Sequence, residues 1–236
     1  MSTVKQNNIS KILITAFGIV SLCEIIAEFY YNKKLLWLLK PFLMPLLIAY
    51  YVKKSKSPNV IFIVSLIFSW IANLLFIERD FDHIIYGSIF FLIYRSLIIY
   101  LVFKLVKLPY LIPFVLGSIP FLFLYTTVCF LTFDMMGVSI FLFILHGIFI
   151  IILGGYSLGS YIMNSNKPNL FLFLSTIFFA ISQFIFVLKL YSNHDLFLHS
   201  VAMVLFVMAQ YFLTRFMIIK DNPKAKHDFV TNINEL

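Results

Sequence analysis

The sequence predicts an all-α fold: a polytopic membrane bundle of eight transmembrane helices with both termini cytoplasmic. Three observations predict it. Eight apolar stretches of about twenty residues fill nearly the whole chain, and each is long enough to cross a hydrocarbon core as a helix. Only 12% of the 236 residues are charged while 62% are hydrophobic and 19% aromatic, far from the roughly 25% charged composition of soluble domains. The basic residues of this +8 chain gather in the loops and tails of one side, which is the signature of a cytoplasmic face.

The stretches run from Ile12 to Tyr30, Leu35 to Tyr51, Asn59 to Ile77, Ile84 to Leu105, Tyr110 to Phe133, Val138 to Met163, Leu170 to Leu190 and Leu196 to Ile219. The side shared by the termini carries Lys5, Lys11, Lys53, Lys54, Lys56, Lys104, Lys107, Lys167, Arg215, Lys220, Lys224 and Lys226; the other side has Lys33, Lys34, Arg79 and Lys189. The first stretch follows a basic start, as a signal peptide would. It is longer than a signal core, holds Glu24 and Glu28 and lacks a small-residue cleavage pattern, so it is expected to stay as a helix. Loops such as Asn32-Lys33-Lys34 and Asn164 to Asn169 are short enough to join antiparallel neighbours. One domain is therefore expected over residues 1–219, followed by a mobile cytoplasmic tail over 220–236, where Pro223 and mixed charge replace the apolar pattern. No internal repeat is evident, so the inverted-repeat plan of many transporters finds no support.

No basic face or aromatic-basic patch speaks for nucleic acid. Cys23 and Cys129 lie inside apolar stretches without CxxC spacing and read as packing residues. Gly154, Gly155 and Gly159 give the sixth stretch a small-residue surface for close helix packing. With no HExxH, no GxSxG, no carboxylate-rich metal spacing and no glycine-rich phosphate loop, no metal and no cofactor is expected. The expected partners are membrane lipids, and the expected location is the plasma membrane.

Polar residues inside apolar spans are costly and need a partner, water or a task. At ~1.5 Å per residue, Glu24, Asn73 and Gln183 lie ~18, ~21 and ~20 Å from the cytoplasmic side, while Lys40, Arg95 and His146 lie ~8, ~17 and ~12 Å from the other. These six therefore fall in the middle or outer half of the bilayer. Glu24 is the partner of Arg95 by depth. Two readings stand: an ion pair locking two helices, or a polar cavity whose cations hold an anionic headgroup. Lys40 either snorkels to the interface or faces a site opened by Pro41 and Pro45, which are expected to kink or break its helix. Asn73 and Gln183 either join helices by hydrogen bonds or line the same pocket. His146 is a bonded core histidine or a ligand-binding one, and His83 and His199 are interface candidates.

Four segments carry a family resemblance: Lys40-Pro41-Phe42-Leu43-Met44-Pro45-Leu46-Leu47, Phe68-Ser69-Trp70-Ile71-Ala72-Asn73-Leu74-Leu75, Phe179-Ala180-Ile181-Ser182-Gln183 and Ala209-Gln210-Tyr211-Phe212-Leu213. In their order and spacing the chain resembles the YhhN-like membrane proteins, whose characterised members are lysoplasmalogenases, eight-span enzymes that hydrolyse the vinyl-ether bond of lysoplasmalogens. The resemblance implies acids at positions 73 and 183, where this chain has Asn73 and Gln183, and a histidine in the fourth span, replaced by Arg95. Vinyl-ether hydrolysis needs a proton for the alkene carbon and water for the oxocarbenium. Amides supply neither. The implied function is thus a pocket for a lysophospholipid-like amphiphile with the hydrolase activity absent or altered, Lys40, Arg95 and His146 binding the ligand and Glu24 serving as counter-ion. Two alternatives remain: an active lysoplasmalogenase with Glu24 as the catalytic acid, or with Glu28, Asp80 or Asp82 substituting; and a transporter or membrane-assembly protein.

Overall fold

The computed structural model describes residues 2–133, 137–191 and 196–222. Eight α-helices follow one another among them: α1 Ser2–Phe29, α2 Lys33–Lys54, α3 Val60–Leu75, α4 Phe81–Leu105, α5 Leu111–Thr132, α6 Ile140–Met163, α7 Lys167–Tyr191 and α8 Leu196–Lys220. Residues 223–236, most of the expected tail, lie outside the described residues.

Consecutive helices pack as four hairpins, α1 with α2, α3 with α4, α5 with α6 and α7 with α8, and α8 closes the bundle against α1 and α2. Polar side chains stop the helices where the loops begin. Asn32 Oδ1 accepts from Leu35 N at 3.1 Å, Asn59 Oδ1 from Ile61 N at 2.9 Å, and Asp80 Oδ1 from His83 N at 3.0 Å, each satisfying amides that the first helical turn leaves unpaired. The turn between α1 and α2 places Tyr31 at φ 48°, an uncommon conformation for a residue with a side chain. The Arg79 guanidinium, 3.6 Å from the centre of its ring, covers it.

Seven of the helices are long and apolar enough to cross a membrane, and α3 is the exception. Its 16 residues cover ~24 Å, short of the ~30 Å hydrocarbon core. The apolar run from Asn59 to Ile77 overstates the helix because Asn59 is its cap and Phe76 and Ile77 form a closing turn, with Ile77 N bonded to Leu74 O at 3.2 Å. The segment nevertheless travels the length of the bundle. At one end, the Asn59 amide donates to the Tyr51 hydroxyl at 2.8 Å, Tyr51 and Ser55 donate to the Asp221 carboxylate, and Ser57 donates to the Asp221 carbonyl. At the other, Lys33 pairs with Glu78 at 2.6 Å and Arg79 with Glu28 at 3.3 Å.

Pro41 and Pro45 do not break α2, which stays helical from Lys33 to Lys54. The apolar core explains this: Leu43, Met44 and Leu47 are buried at 1% exposure or less and pack with Phe62, Leu66, Tyr94 and Phe216, so tertiary contacts hold the helix where the prolines remove amide donors. Between α5 and α6 the backbones nearly touch. A Cβ on Gly155 would stand 2.1 Å from Ser118 Oγ and 2.9 Å from Phe114 O, and one on Gly159 2.9 Å from Pro113 O, which is why small residues stand there.

Candidate functional site

Two buried polar clusters lie in the half of the bundle nearer Glu28. The first is ionic. Glu24 and Glu28, one turn apart, share a face of α1, and Lys40 of α2 reaches both: its Nζ is 2.6 Å from Glu28 Oε1 and 3.8 Å from Glu24 Oε1. Glu28 Oε2 also lies 3.3 Å from Arg79 Nη2 and 3.0 Å from His199 Nε2. Glu24, Glu28 and Lys40 are all but inaccessible. At that burial, separating the pair would strand a charge in apolar surroundings, so their contact is a condition of the fold.

The second cluster is centred on Arg95 of α4. Arg95 Nη1 donates to Gln183 Oε1 on α7 at 2.6 Å and to the His146 carbonyl on α6 at 3.5 Å, and its guanidinium faces the Phe91 ring at 5.1 Å. His146 Nε2 stands 3.1 Å from the Ser88 carbonyl.

A cavity of about 380 Å³ joins the two clusters. Lys40, Asn73, Arg79, His146, Gln183 and His199 give it polar spots. The rest of its wall is mainly apolar, with Phe91, Phe179, Phe186 and Phe206 among the aromatic rings. Phe81 and Leu190 also line it and are exposed, 62% and 40%, so the cavity opens at their end of the bundle. Its size falls in the range of small-molecule sites. Among its lining residues, Asn73 Nδ2, His146 Nδ1 and His199 Nδ1 are buried polar atoms without a hydrogen-bond partner, and behind the wall so are both Glu24 carboxylate oxygens and Arg95 Nη2.

Of the six residues singled out from sequence, Lys40, Asn73, His146 and Gln183 line this cavity; Arg95 stands behind Gln183 and His146, and Glu24 behind Lys40. The depth-based pairing of Arg95 with Glu24 is corrected. Arg95 takes Gln183 and Glu24 takes Lys40, because height along a helix says nothing of the direction in which a side chain leaves it. Nor does Lys40 snorkel: it is 1% exposed. Glu28, Arg79 and His199 are the residues that sequence reasoning undervalued. The signal was present in Glu24 and Glu28 at i, i+4, since two carboxylates on one face of an apolar helix require a cation from a neighbour.

The profile of the YhhN family matches residues 35–217, more than three-quarters of the chain. The chain belongs to the YhhN family. No curated protein and no solved structure gives a significant match. In this YhhN protein the matched region begins at Leu35, so it contains the cavity wall but leaves out α1 with its two carboxylates. Glu24 and Glu28 are therefore part of the ionic cluster that the family match itself does not cover.

Outside the spans, the charge pattern at this end is conventional. The hydrogen bond from Lys33 holds the Glu78 carboxyl below its ordinary value. The His83 backbone amide does the same for Asp80 at the cap of α4. Among the described residues, no three His, Cys, Asp or Glu side chains are grouped to hold a metal ion.

Proposed function

We propose that this membrane protein of the YhhN family holds a single-chain, lysophospholipid-like amphiphile in the cavity between α2, α3, α4, α6, α7 and α8, and that vinyl-ether hydrolysis is absent or altered in it. The observation that carries this reading is the composition of the cavity wall. Among its described lining residues there are cations, amides and imidazoles on an apolar background, and no carboxylate. Such a wall binds a headgroup and shields a chain, but it lacks the acid that protonates an alkene carbon. Asn73 and Gln183 occupy the positions where the family resemblance implies that acid. Arg79, which pairs with Glu28 yet keeps 28% of its side chain exposed, is the anion-binding group with Lys40 supplying positive charge behind it, and the aromatic rings receive the chain.

The competing reading gives Glu24 the acid's role. Glu24 is not among the residues that line the cavity and stands behind Lys40, whose Nζ is 3.8 Å from its Oε1, so it lacks the direct contact with a bound chain that a general acid needs. We further propose that all eight helices cross the bilayer as one domain, in the plasma membrane, with the Asp221 end cytoplasmic. The twelve basic residues assigned to that side support this orientation.

The test is to incubate the purified protein with a lysoplasmalogen, measuring binding and aldehyde release together. Saturable binding without release is the expected result. Turnover abolished by Glu24→Gln would replace this reading with the hydrolase one, and absence of binding would remove the pocket.

A further inference from the structure

A second hollow lies on the outside of the bundle, toward the Asp221 end, and its lining shares no residue with the cavity between the clusters. Pro45, Ala49 and Lys53, each four residues from the next, form a row along one face of α2 and supply its floor. Leu13 of α1 walls one side and Ile67 and Trp70 of α3 the other, because α1 and α3 each pack against α2. The short side chains of Pro45 and Ala49 keep the floor low between those walls. The result is a groove of about 630 Å³ in which, among the described lining residues, Lys53 alone is charged.

Its depth and its one charge name an occupant. From Lys53 to Pro45 the groove runs ~12 Å along α2, and Trp70 stands ~15 Å along α3 from its first residue. Half of a ~30 Å hydrocarbon core is the same distance, so the groove is one leaflet deep. A spanning helix of a partner would need a seat twice as long, whereas an acyl chain stops at the midplane and carries its phosphate at the rim. The rim is basic: Lys53 is exposed, as are Lys54 and Lys56 beside it and Lys11 on α1. The Asp221 carboxylate at this end is turned inward, where Tyr51 and Ser55 donate to it. We propose that the groove seats one chain of an anionic, two-chain phospholipid from the leaflet at the Asp221 end, with Lys53 drawing its phosphate to the rim. The site is separate from the amphiphile cavity and does not depend on it.

Tryptophan fluorescence reads this groove directly. The chain has two tryptophans, and Trp37, 47% exposed, lies in the first turns of α2 at the opposite end. Trp37→Phe therefore leaves Trp70 as the sole tryptophan, and bromine on an acyl chain quenches an indole on contact. The full chain carrying Trp37→Phe is placed in dioleoylphosphatidylcholine vesicles with a rising fraction of dibrominated phosphatidylglycerol or, in parallel, of dibrominated phosphatidylcholine. Trp70 is expected to favour the anionic probe about fivefold, and Lys53→Gln is expected to reduce that preference to less than about twofold. Equal quenching by the two probes would overturn the proposal, as would no quenching by either. A preference that survives Lys53→Gln would also overturn it, since the charge of the whole face would then be the cause.

Discussion

Tyr94 and Arg95 are consecutive residues of α4, and each hydrogen-bonds a glutamine on a different helix. Tyr94 donates to Gln210 Oε1 at 3.2 Å, and Gln210 Nε2 donates onward to Ser69 Oγ at 2.8 Å. That chain is packed in the apolar core, with Gln210 and Ser69 at 0% exposure. Arg95 donates to Gln183 Oε1, but Gln183 borders a cavity and Arg95 Nη2 stays unmatched. The same side-chain type, glutamine, thus stands in two settings. Where its oxygen and nitrogen both find side-chain partners, a buried amide fixes helix against helix; where an amide borders a void, the proposed reading assigns it to a ligand.

The largest effect comes from the ionic cluster that braces the open side. Lys40→Met leaves Glu24 and Glu28 buried without the cation between them, and is expected to cost about 3 to 5 kcal/mol of stability, the scale for breaking a buried pair from one side. Thermal unfolding in detergent measures it; an unchanged midpoint would show that the cluster contributes little.

A paired substitution sharpens the comparison of the two glutamines. Gln210→Leu strips partners from Tyr94 and Ser69 and is expected to lower stability by about 1 to 3 kcal/mol with ligand affinity retained. Gln183→Leu is expected to weaken lysophospholipid binding by about tenfold. Titration and unfolding of both variants separate the roles. If Gln210→Leu alone impaired binding, the assignments would have to be exchanged.

The smallest effect lies at the solvent-facing cap of α4. The folded Asp80 carboxyl titrates below its ordinary value of 3.8, first through the His83 backbone amide. Because the folded value is the lower one, the stabilisation is present above pH 3.8 and is lost as pH falls through the folded value. Asp80→Asn is therefore expected to flatten the acid limb of the melting temperature slightly. An identical limb in wild type and variant would remove the cap from the account.

Much of this arrangement was legible in the sequence. Apolar run lengths located all eight helices and overstated α3, because the closing turn at Phe76 and Ile77 continues its apolar run and the cap at Asn59 interrupts it by a single residue. Rise per residue placed Lys40, Asn73, His146 and Gln183 at one level, and they line one cavity. Partner choice was not legible. Whether Arg95 meets Glu24 or Gln183 depends on helix rotation and order around the bundle, which span lengths and loop charges leave open. The persistence of α2 through Pro41 and Pro45 was hidden for a related reason, since it rests on contacts with α3, α4 and α8 rather than on local preference.

If the proposed function is right, a lipid chain resides in the cavity. The most direct measurement is photo-crosslinking of the purified protein with a lysophospholipid bearing a diazirine on its acyl chain, mapped by mass spectrometry. Labelling confined to the peptides that contain Phe179, Phe186 and Phe206, and competed by unlabelled lysophospholipid, is the result expected. Labelling spread over the exposed face of α5, at Leu111, Ile112 and Phe123, without competition, would contradict it.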